Sequence, residues 1–220
     1  MTVKRVYRST LRAEQAAATR RRIVDAARAL LLERGFAATK LDEVADQAGV
    51  ALPTLTGYFP TKAALLEEVL RAVASGAADE ELPPIGEQLN TLLDKADPQE
   101  LLAAVSAIIR TANERAFELF EIMRKAAAAD PTLEERRRRG AEARRRDQVP
   151  IVRHLKRHRA LRADVSEQQA TDILWLYSSA DVYRLLVRDS GWPLEHYERW
   201  LTRSLIDGLL ATTDPKRDVR

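Results

Sequence analysis

The chain has no cysteine among its 220 residues. Disulfides, thiol catalysis and thiolate metal sites are therefore excluded. Aromatic residues make up only 5%, with eight glycines and nine prolines. The N-terminus lacks the apolar core of a signal peptide, and no apolar run approaches the ~20 residues that span a bilayer. We expect a cytoplasmic protein that is neither exported through a signal peptide nor inserted in a membrane.

Leucine, alanine and charged residues dominate instead. With 45% hydrophobic and 31% charged residues, the composition predicts a folded, all-α protein. The net charge of +3 is unevenly distributed, because residues 1–62 hold eleven Lys or Arg against six Asp or Glu. A basic N-terminal part before a near-neutral remainder indicates a nucleic-acid-binding end.

The stretch 39–62 predicts two short helices joined by a tight turn. Thr39 is the predicted N-cap of the first helix, and Asp42 lies three residues later, as in a capping box. Apolar residues then recur on one face at helical spacing: Leu41, Val44, Ala45 and Ala48. Gly49 ends the helix, since a tight turn there needs a residue that tolerates positive φ.

The second short helix is predicted from Leu52 to Phe59, with Pro53 in its first turn. Leu55 and Phe59 face the first helix, which leaves the other side of this helix exposed. Thr61 can cap the next helix. Lys62 lies in that helix's first turn, where an ammonium and exposed N–H groups suit a phosphate. A helix-turn-helix and an ordinary core hairpin both fit this pattern.

The N-terminal part resembles the DNA-binding domain of TetR-family (tetracycline-repressor-like) transcriptional regulators. The resemblance covers the segment TRRRIVDAARALLLERGFAATKLDEVADQAGVALPTLTGYFPTKAALLEEVL and is carried by RRRIVDAA, ERGF, the T-x-LDEVA-x-x-AGV core and YFPTKAALL. The segments NERAFELFEIMRKAAAADPTLEE and DILWLYSSADVYRLLVRDSGWPLEHYERWL resemble the C-terminal domain of a subgroup of these regulators common in high-GC bacteria.

The resemblance implies a homodimer whose two recognition helices enter successive major grooves of a near-palindromic operator, ~34–36 Å apart. The DNA-binding residues it implies are Thr39, Lys40, Ala51, Leu52, Pro53, Thr54, Thr56, Tyr58 and Lys62, with Thr39, Lys40 and Lys62 near phosphates. Many relatives have serine at the position of Ala51 and an aromatic residue at that of Thr56. The base preference of relatives therefore does not transfer to this chain.

Flanking helices complete the predicted N-terminal domain of three helices plus a connecting helix. The first runs from about Ala13 to Arg34 and ends at Gly35; the fourth runs from Lys62 to about Ser75 with Glu67, Glu68 and Arg71 outward. Ahead of them, Lys4, Arg5, Arg8 and Arg12 belong either to a solvated tail or to an arm that contacts DNA. The linker SGAADEELPPIG predicts domains 1–75 and 76–220.

The C-terminal part predicts only helices. A short one lies near Glu87–Lys95, and Asp97-Pro98 and Asp130-Pro131 each open another. The arginine-rich stretch 134–159 is interpreted as a solvated helix face that Pro150 interrupts. One helix is predicted from Ser166 to about Asp189 and a last one to about Leu210. Their excess apolar surface indicates a subunit interface, and the tail TTDPKRDVR is expected to be disordered.

Residues for chemistry are few. His154 and His158 have metal-binding spacing, but surrounding cations make solvated residues the better interpretation; no metal, cofactor or catalytic constellation is predicted. In the family the C-terminal helices enclose a ligand pocket, for which the chain offers Asn113, Phe117, Phe120, Met123, Trp175, Ser178 and Tyr183. For each aromatic residue taken singly, core packing is the better explanation.

We therefore predict a DNA-binding transcriptional regulator, a homodimeric repressor released by a small-molecule effector, and not an enzyme. A helical small-molecule-binding protein that no longer binds DNA specifically is the first alternative. A cofactor-free enzyme is the second. The basic N-terminal third with its helix-turn-helix pattern disfavours both.

Overall fold

The computed structural model describes residues 3–76, 85–95 and 97–211. Their regular structure is helical, apart from an isolated bridge between Leu161 and Leu210. In chain order the elements are α1 Val3–Ala38, α2 Leu41–Ala48, α3 Leu52–Tyr58, α4 Lys62–Ala74, α5 Ile85–Lys95, α6 Pro98–Ala127, α7 Pro131–Asp147, α8 Val149–Arg157, α9 Glu167–Tyr177, α10 Ala180–Tyr183, a π-helix Arg184–Asp189 and α11 Leu194–Leu209. The all-α prediction is confirmed.

Two glycines shape the N-terminal part, because each adopts the left-handed backbone that other residues avoid. Gly35 has φ 74° and interrupts the helical backbone of α1. Gly49 has φ 64° and caps α2, its N–H donating to the Asp46 carbonyl at 3.1 Å. Both predicted stops are confirmed. The predicted start of α1 at Ala13 is wrong, since the helix already runs from Val3.

The chain divides into two compact units, the first formed by Met1–Glu81 and Glu118–Arg137 and the second by Leu82–Phe117 and Arg138–Arg220. The predicted division into 1–75 and 76–220 stays a prediction. Its linker falls largely on residues 77–84, which lie outside the described residues, as does the tail 212–220. None of the described helices combines the length and apolar character needed to cross a membrane.

In the first unit, α4 packs on α1, and these two helices contribute much of the apolar interior. The side chains that fill it are buried almost completely: Ile23, Ala27, Leu30, Leu31, Val44, Leu55, Leu65, Leu66 and Val69. Glu68 lies on the same buried side of α4, with only 9% of its surface exposed. The prediction that Glu68 points outward is therefore wrong; arginines on two helices provide its counter-charges.

Local capping explains how the helices of the second half begin. The Asp97 carboxylate accepts from the N–H groups of Gln99 and Glu100 at 2.8 and 3.2 Å. The Asp130 carboxylate accepts from Thr132 N–H at 2.8 Å. Pro150 lies in the first turn of α8, just after the break at Gln148. These predicted starts and the interruption are confirmed.

The predicted single helix from Ser166 to Asp189 is wrong. Ser166 caps α9 in a capping box with Gln169, as the sequence predicts. The helix then stops at Ser178–Ser179, where the Ser179 hydroxyl accepts from the N–H of Val182 and starts α10. Serine side chains compete with the helical backbone for hydrogen bonds, and two in succession end α9. The chain continues as α10 and the π-helix.

Aromatic and aliphatic residues share the interior of the second unit. Its fully buried members are Leu101, Leu102, Leu155, Ala170, Leu174, Tyr197, Leu201, Leu205 and Leu209. Tyr197 meets Tyr183 edge to face, with ring centroids 5.4 Å apart. Burial raises the pKa of Tyr197 to about 12, while the Asn113 side chain and Tyr183 have smaller, opposing effects. This core orients α6, α9 and α11.

Candidate nucleic-acid interface

The turn between α2 and α3 holds α3 on one side only. Gly49 reverses the chain, and the Val50 N–H donates to the Ala45 carbonyl at 3.0 Å. Leu55 and Phe59 then face inward against the buried Val44 and Ala45. The small Ala45 at this crossing allows the two helices to approach closely. Leu55 is the buried residue within α3 itself.

The opposite side of α3 is open to solvent. Leu52 is 42% exposed and Tyr58 36% exposed, and Ala51, Pro53 and Thr54 are exposed as well. Helical periodicity thus predicts correctly which side of α3 is free, while contact with DNA stays a prediction.

Two of the predicted DNA-binding side chains on α3 are already hydrogen-bonded. The Thr56 hydroxyl donates to the carbonyls of Leu52 and Pro53, at 3.1 and 3.3 Å. The Tyr58 hydroxyl donates to the Ala16 carbonyl at 3.3 Å. The second bond ties α3 to the described part of α1. Because both hydroxyls can also accept, neither bond removes these residues from the exposed surface.

Thr39 does not cap α2. Its hydroxyl is buried and donates to the carbonyls of Leu30 and Gly35, at 3.3 and 2.8 Å. The N-cap residue is Lys40, which is exposed and makes no side-chain capping bond. Asp42 accepts from the neighbouring Glu43 N–H, so no capping box forms. The predicted cap is wrong because the Thr39 hydroxyl bonds to carbonyls near the kink of α1 at Gly35 and not to the N–H groups of α2.

Lys62 is the most constrained of the predicted phosphate contacts. Its ammonium donates to the carbonyls of Phe36, Thr39 and Ala37, at 2.7, 2.9 and 3.3 Å. It also lies 4.5 Å from the centre of the Phe36 ring. Burial lowers the pKa of Lys62. All three N–H donors thus hold the end of α1, and a phosphate contact for Lys62 stays a prediction.

Glu68 joins α1 to α4 through two arginines. The Arg20 guanidinium lies 2.5 Å from its carboxylate, and Arg71 donates to both carboxylate oxygens, at 3.0 and 2.6 Å. Arg20 also lies 5.4 Å from the centre of the Phe59 ring. The neighbouring Glu67 pairs with Arg136 of α7. These ion pairs of Glu68 were not predicted from the sequence, although an acidic residue within the apolar run of α4 was a signal for a buried partner.

The predicted effector-pocket residues divide between the two units. Asn113, Phe117, Trp175, Ser178 and Tyr183 belong to the second unit, where Asn113 donates to the Ser178 carbonyl at 3.5 Å. Phe117 packs on Tyr183 with ring centroids 5.4 Å apart. Phe120 and Met123 belong to the first unit. The structure brings together the first group as one polar and aromatic neighbourhood, and ligand binding there stays a prediction.

His154 departs from its interpretation as a solvated residue. It is buried, with 2% of its surface exposed, and stacks on His158 at 4.3 Å between ring centroids. His154 lies on the buried side of α8 with Ile151, Val152 and Leu155, whereas His158 is exposed. Among the described residues no group of three His, Cys, Asp or Glu side chains could hold a metal ion.

Comparison with known proteins agrees with this geometry. Residues 23–69 match the family model of bacterial regulatory proteins of the tetR family. The HTH-type transcriptional repressor KstR of Mycobacterium tuberculosis is 40% identical over 70 residues, about a third of either chain. The match to the family model contains α2 and α3. The match to KstR leaves about two thirds of that protein uncovered.

The fold is also that of solved regulators. NalD, the secondary repressor of the MexAB-OprM multidrug efflux pump in Pseudomonas aeruginosa, matches with TM-score 0.66 and 22% identity, over 90% of this chain and 99% of NalD. SmeT in complex with triclosan matches with TM-score 0.68 and 19% identity, over 89% and 93% of the chains. The chain thus carries a TetR-family helix-turn-helix segment at its N-terminal end and has the all-helical fold of TetR-family regulators.

Proposed function

We propose that the protein is a DNA-binding transcriptional regulator whose α3 reads the major groove, and that it acts as a repressor released by a small molecule. The observation that carries the proposal is the exposed side of α3, held by a buried opposite side at the Gly49 turn. A helix that presents its first turn in this way fits the major groove. Ala51, Leu52, Pro53, Thr54, Thr56 and Tyr58 form this reading surface.

The charge of the N-terminal part supports the same function. Residues 1–62 carry a net charge of +5 against −2 for the remainder, so phosphate attraction is concentrated where α3 lies. Lys40 is exposed at the start of α2, with no side-chain cap to hold it. Lys40 is therefore the lysine, among the described residues, that is best placed to contact a phosphate. Thr39 and Lys62 are the other two proposed phosphate contacts.

A dimer in the cytoplasm completes the proposal. Leu176 of α9 and Leu185 of the π-helix are each 52% exposed, which is unusual for large apolar residues on neighbouring elements. A second copy that covers this surface would hold two α3 helices at one fixed separation. Ligand binding that changes the separation lowers operator affinity, because only one spacing fits both grooves. The complex of SmeT with triclosan supports an effector of this kind.

Selection of bound fragments from genomic DNA of the source organism tests the proposal. The wild-type chain is expected to enrich a near-palindromic site, and Thr54→Glu is expected to abolish retention, because it places a negative charge on the reading surface. Ala103→Glu adds the same charge at an exposed position of α6 and is the control. Equal retention of both variants would contradict the assignment of the reading surface, and enrichment of no sequence would contradict the proposed regulator.

A further inference from the structure

Arg144 of α7 is half-buried and lacks the ion pair that several other arginines of this helix make. Arg136 pairs with Glu67, Arg137 with Glu134 and Arg145 with Asp172. Among the described residues, no carboxylate lies within ion-pair distance of Arg144. Its nearest acid by electrostatic effect is the exposed Asp181, which itself lies 4.0 Å from Arg184. A half-buried guanidinium without a counter-ion is costly unless something completes it.

Three side chains, those of Arg144, Asn113 and Gln148, donate hydrogen bonds to Ser178. Its Nη1 donates to the Ser178 carbonyl at 3.0 Å, and the same carbonyl accepts from Asn113 Nδ2. The Gln148 amide donates to the Ser178 hydroxyl at 3.4 Å, which in turn donates to the Trp175 carbonyl at 3.1 Å. A guanidinium has five N–H donors, and this arrangement gives Arg144 one protein acceptor. The other four N–H groups of Arg144 have no hydrogen-bond acceptor among the described residues.

Aromatic side chains lie beside Arg144 and Asn113. The Arg144 guanidinium lies 5.6 Å from the centre of the Trp175 ring, and the indole N–H donates to the Ala141 carbonyl at 3.0 Å, which fixes the ring. One turn along α6 from Asn113, Phe117 packs on Tyr183. Near these groups α9 ends at Ser178–Ser179, and a π-helix follows α10. π-Helical turns occur often at functional sites.

We propose that Arg144, with Asn113 and Gln148, binds the carboxylate of an organic acid whose apolar or aromatic body packs along Trp175. This inference rests on the proposed role of the second unit in binding an effector and names the chemistry of that effector. A carboxylate supplies two acceptor oxygens in the plane that a guanidinium matches. One guanidinium balances one negative charge, which favours a carboxylate over a doubly charged phosphate. Burial also lowers the pKa of Arg144, a strain that a bound anion relieves.

Matched acids and amides test the assignment. Benzoate, octanoate and 2-naphthylacetate are titrated calorimetrically into the full chain beside their primary amides, which keep the shape but lose the charge. At least one acid is expected to bind at least ten times more tightly than its amide. Arg144→Gln is expected to remove that preference, while Arg146→Gln, an exposed arginine on the same helix, leaves it unchanged.

Arg144→Lys guards against a variant that fails to fold, since it keeps the charge and is expected to keep a weakened preference for the acid. Equal binding of acids and amides by the wild-type chain, no binding of any acid, or an unchanged preference in Arg144→Gln overturns the assignment. Retention of selected genomic fragments by the unliganded chain is measured separately. DNA retention without acid binding leaves the regulator and removes only the carboxylate site.

Discussion

The ammonium of Lys62 lies 2.7 Å from the carbonyl oxygen of Phe36 and 2.9 Å from that of Thr39. It thereby joins the first turn of α4 to the end of α1, across the entry to the helix-turn-helix. Cations stabilise the C-terminal ends of helices, where carbonyls lack intrahelical partners. The residue that the sequence places near phosphate is also a structural cap.

Replacing Lys62 with methionine is expected to lower the free energy of unfolding by about 1–3 kcal/mol, because the carbonyls lose a charged donor. Urea unfolding followed by circular dichroism measures the change. Lys40→Met is the matched control, since the Lys40 side chain is exposed and makes no capping hydrogen bond. Equal stability of the two variants would contradict the capping role.

Lys40→Met is expected instead to weaken binding to all DNA sequences and to reduce the slope of log K against log salt by about one unit. Fluorescence anisotropy at several salt concentrations, with a selected fragment and a scrambled one, gives the slope. An unchanged slope would remove Lys40 from the phosphate contacts. A fall of about one unit in Lys62→Met as well would support the phosphate contact predicted for Lys62.

Two glycines in the helix-turn-helix are expected to respond to alanine in opposite directions. Gly49 has φ 64°, so Gly49→Ala should cost about 1–2 kcal/mol in left-handed backbone strain. Gly57 lies within α3, and a Cβ there meets nothing within 4 Å, so Gly57→Ala should gain up to about 1 kcal/mol. Thermal unfolding of the two variants beside the wild type measures both. A stabilised Gly49→Ala would mean that the turn has another backbone conformation.

Glu68 is expected to make part of the stability dependent on acid pH. Burial raises the pKa of Glu68, but hydrogen bonds from Arg71 and Arg20 outweigh it and hold the pKa below the ordinary 4.5. The stabilisation is therefore present above about pH 4.5 and is lost as the pH falls through the lower folded value. Glu68→Gln should unfold more easily at pH 7, by about 1–3 kcal/mol, with the difference shrinking in acid. A difference constant from pH 7 to pH 3 would exclude this source.

Tyr197 is expected to make part of the stability dependent on alkaline pH. Its pKa is raised to about 12 by burial, so the neutral phenol favours the folded state. That contribution is complete below about pH 10, the ordinary tyrosine pKa, and disappears as the pH rises through about 12. Tyr197→Phe should lose less stability than the wild type over this range, as unfolding titrations at each pH would show. Parallel curves would contradict the prediction.

Local chemistry explains why some elements were predictable from the sequence. Asp97 and Asp130 cap the helices that follow them through bonds to residues two or three positions away. Thr39 carries the same type of signal, yet its partners Leu30 and Gly35 are supplied by the reversal of α1. Propensity and spacing predict caps such as those of Asp97 and Asp130, whose partners are close in sequence. They do not predict the bonds of Thr39, whose partners are set by the tertiary structure.

The candidate site follows the same division. Helical periodicity identifies the exposed side of α3 from Leu55 and Phe59 alone, because their burial leaves the remainder outside. It does not identify Arg20 as the partner of Glu68, since 48 residues separate them. Arg144 likewise looks like its neighbours in an arginine run, and only the tertiary structure shows that it is half-buried and has no described acid within ion-pair distance.

Glu67 and Glu68 are adjacent on α4 but hold different elements, Arg136 of α7 and Arg20 of α1. Successive residues project about 100° apart around a helix axis, so the two ion pairs act on α4 from separate directions. Any roll of α4 about its own axis must stretch at least one of them. The two ion pairs together therefore fix which side of α4 faces α1 and which side faces α7.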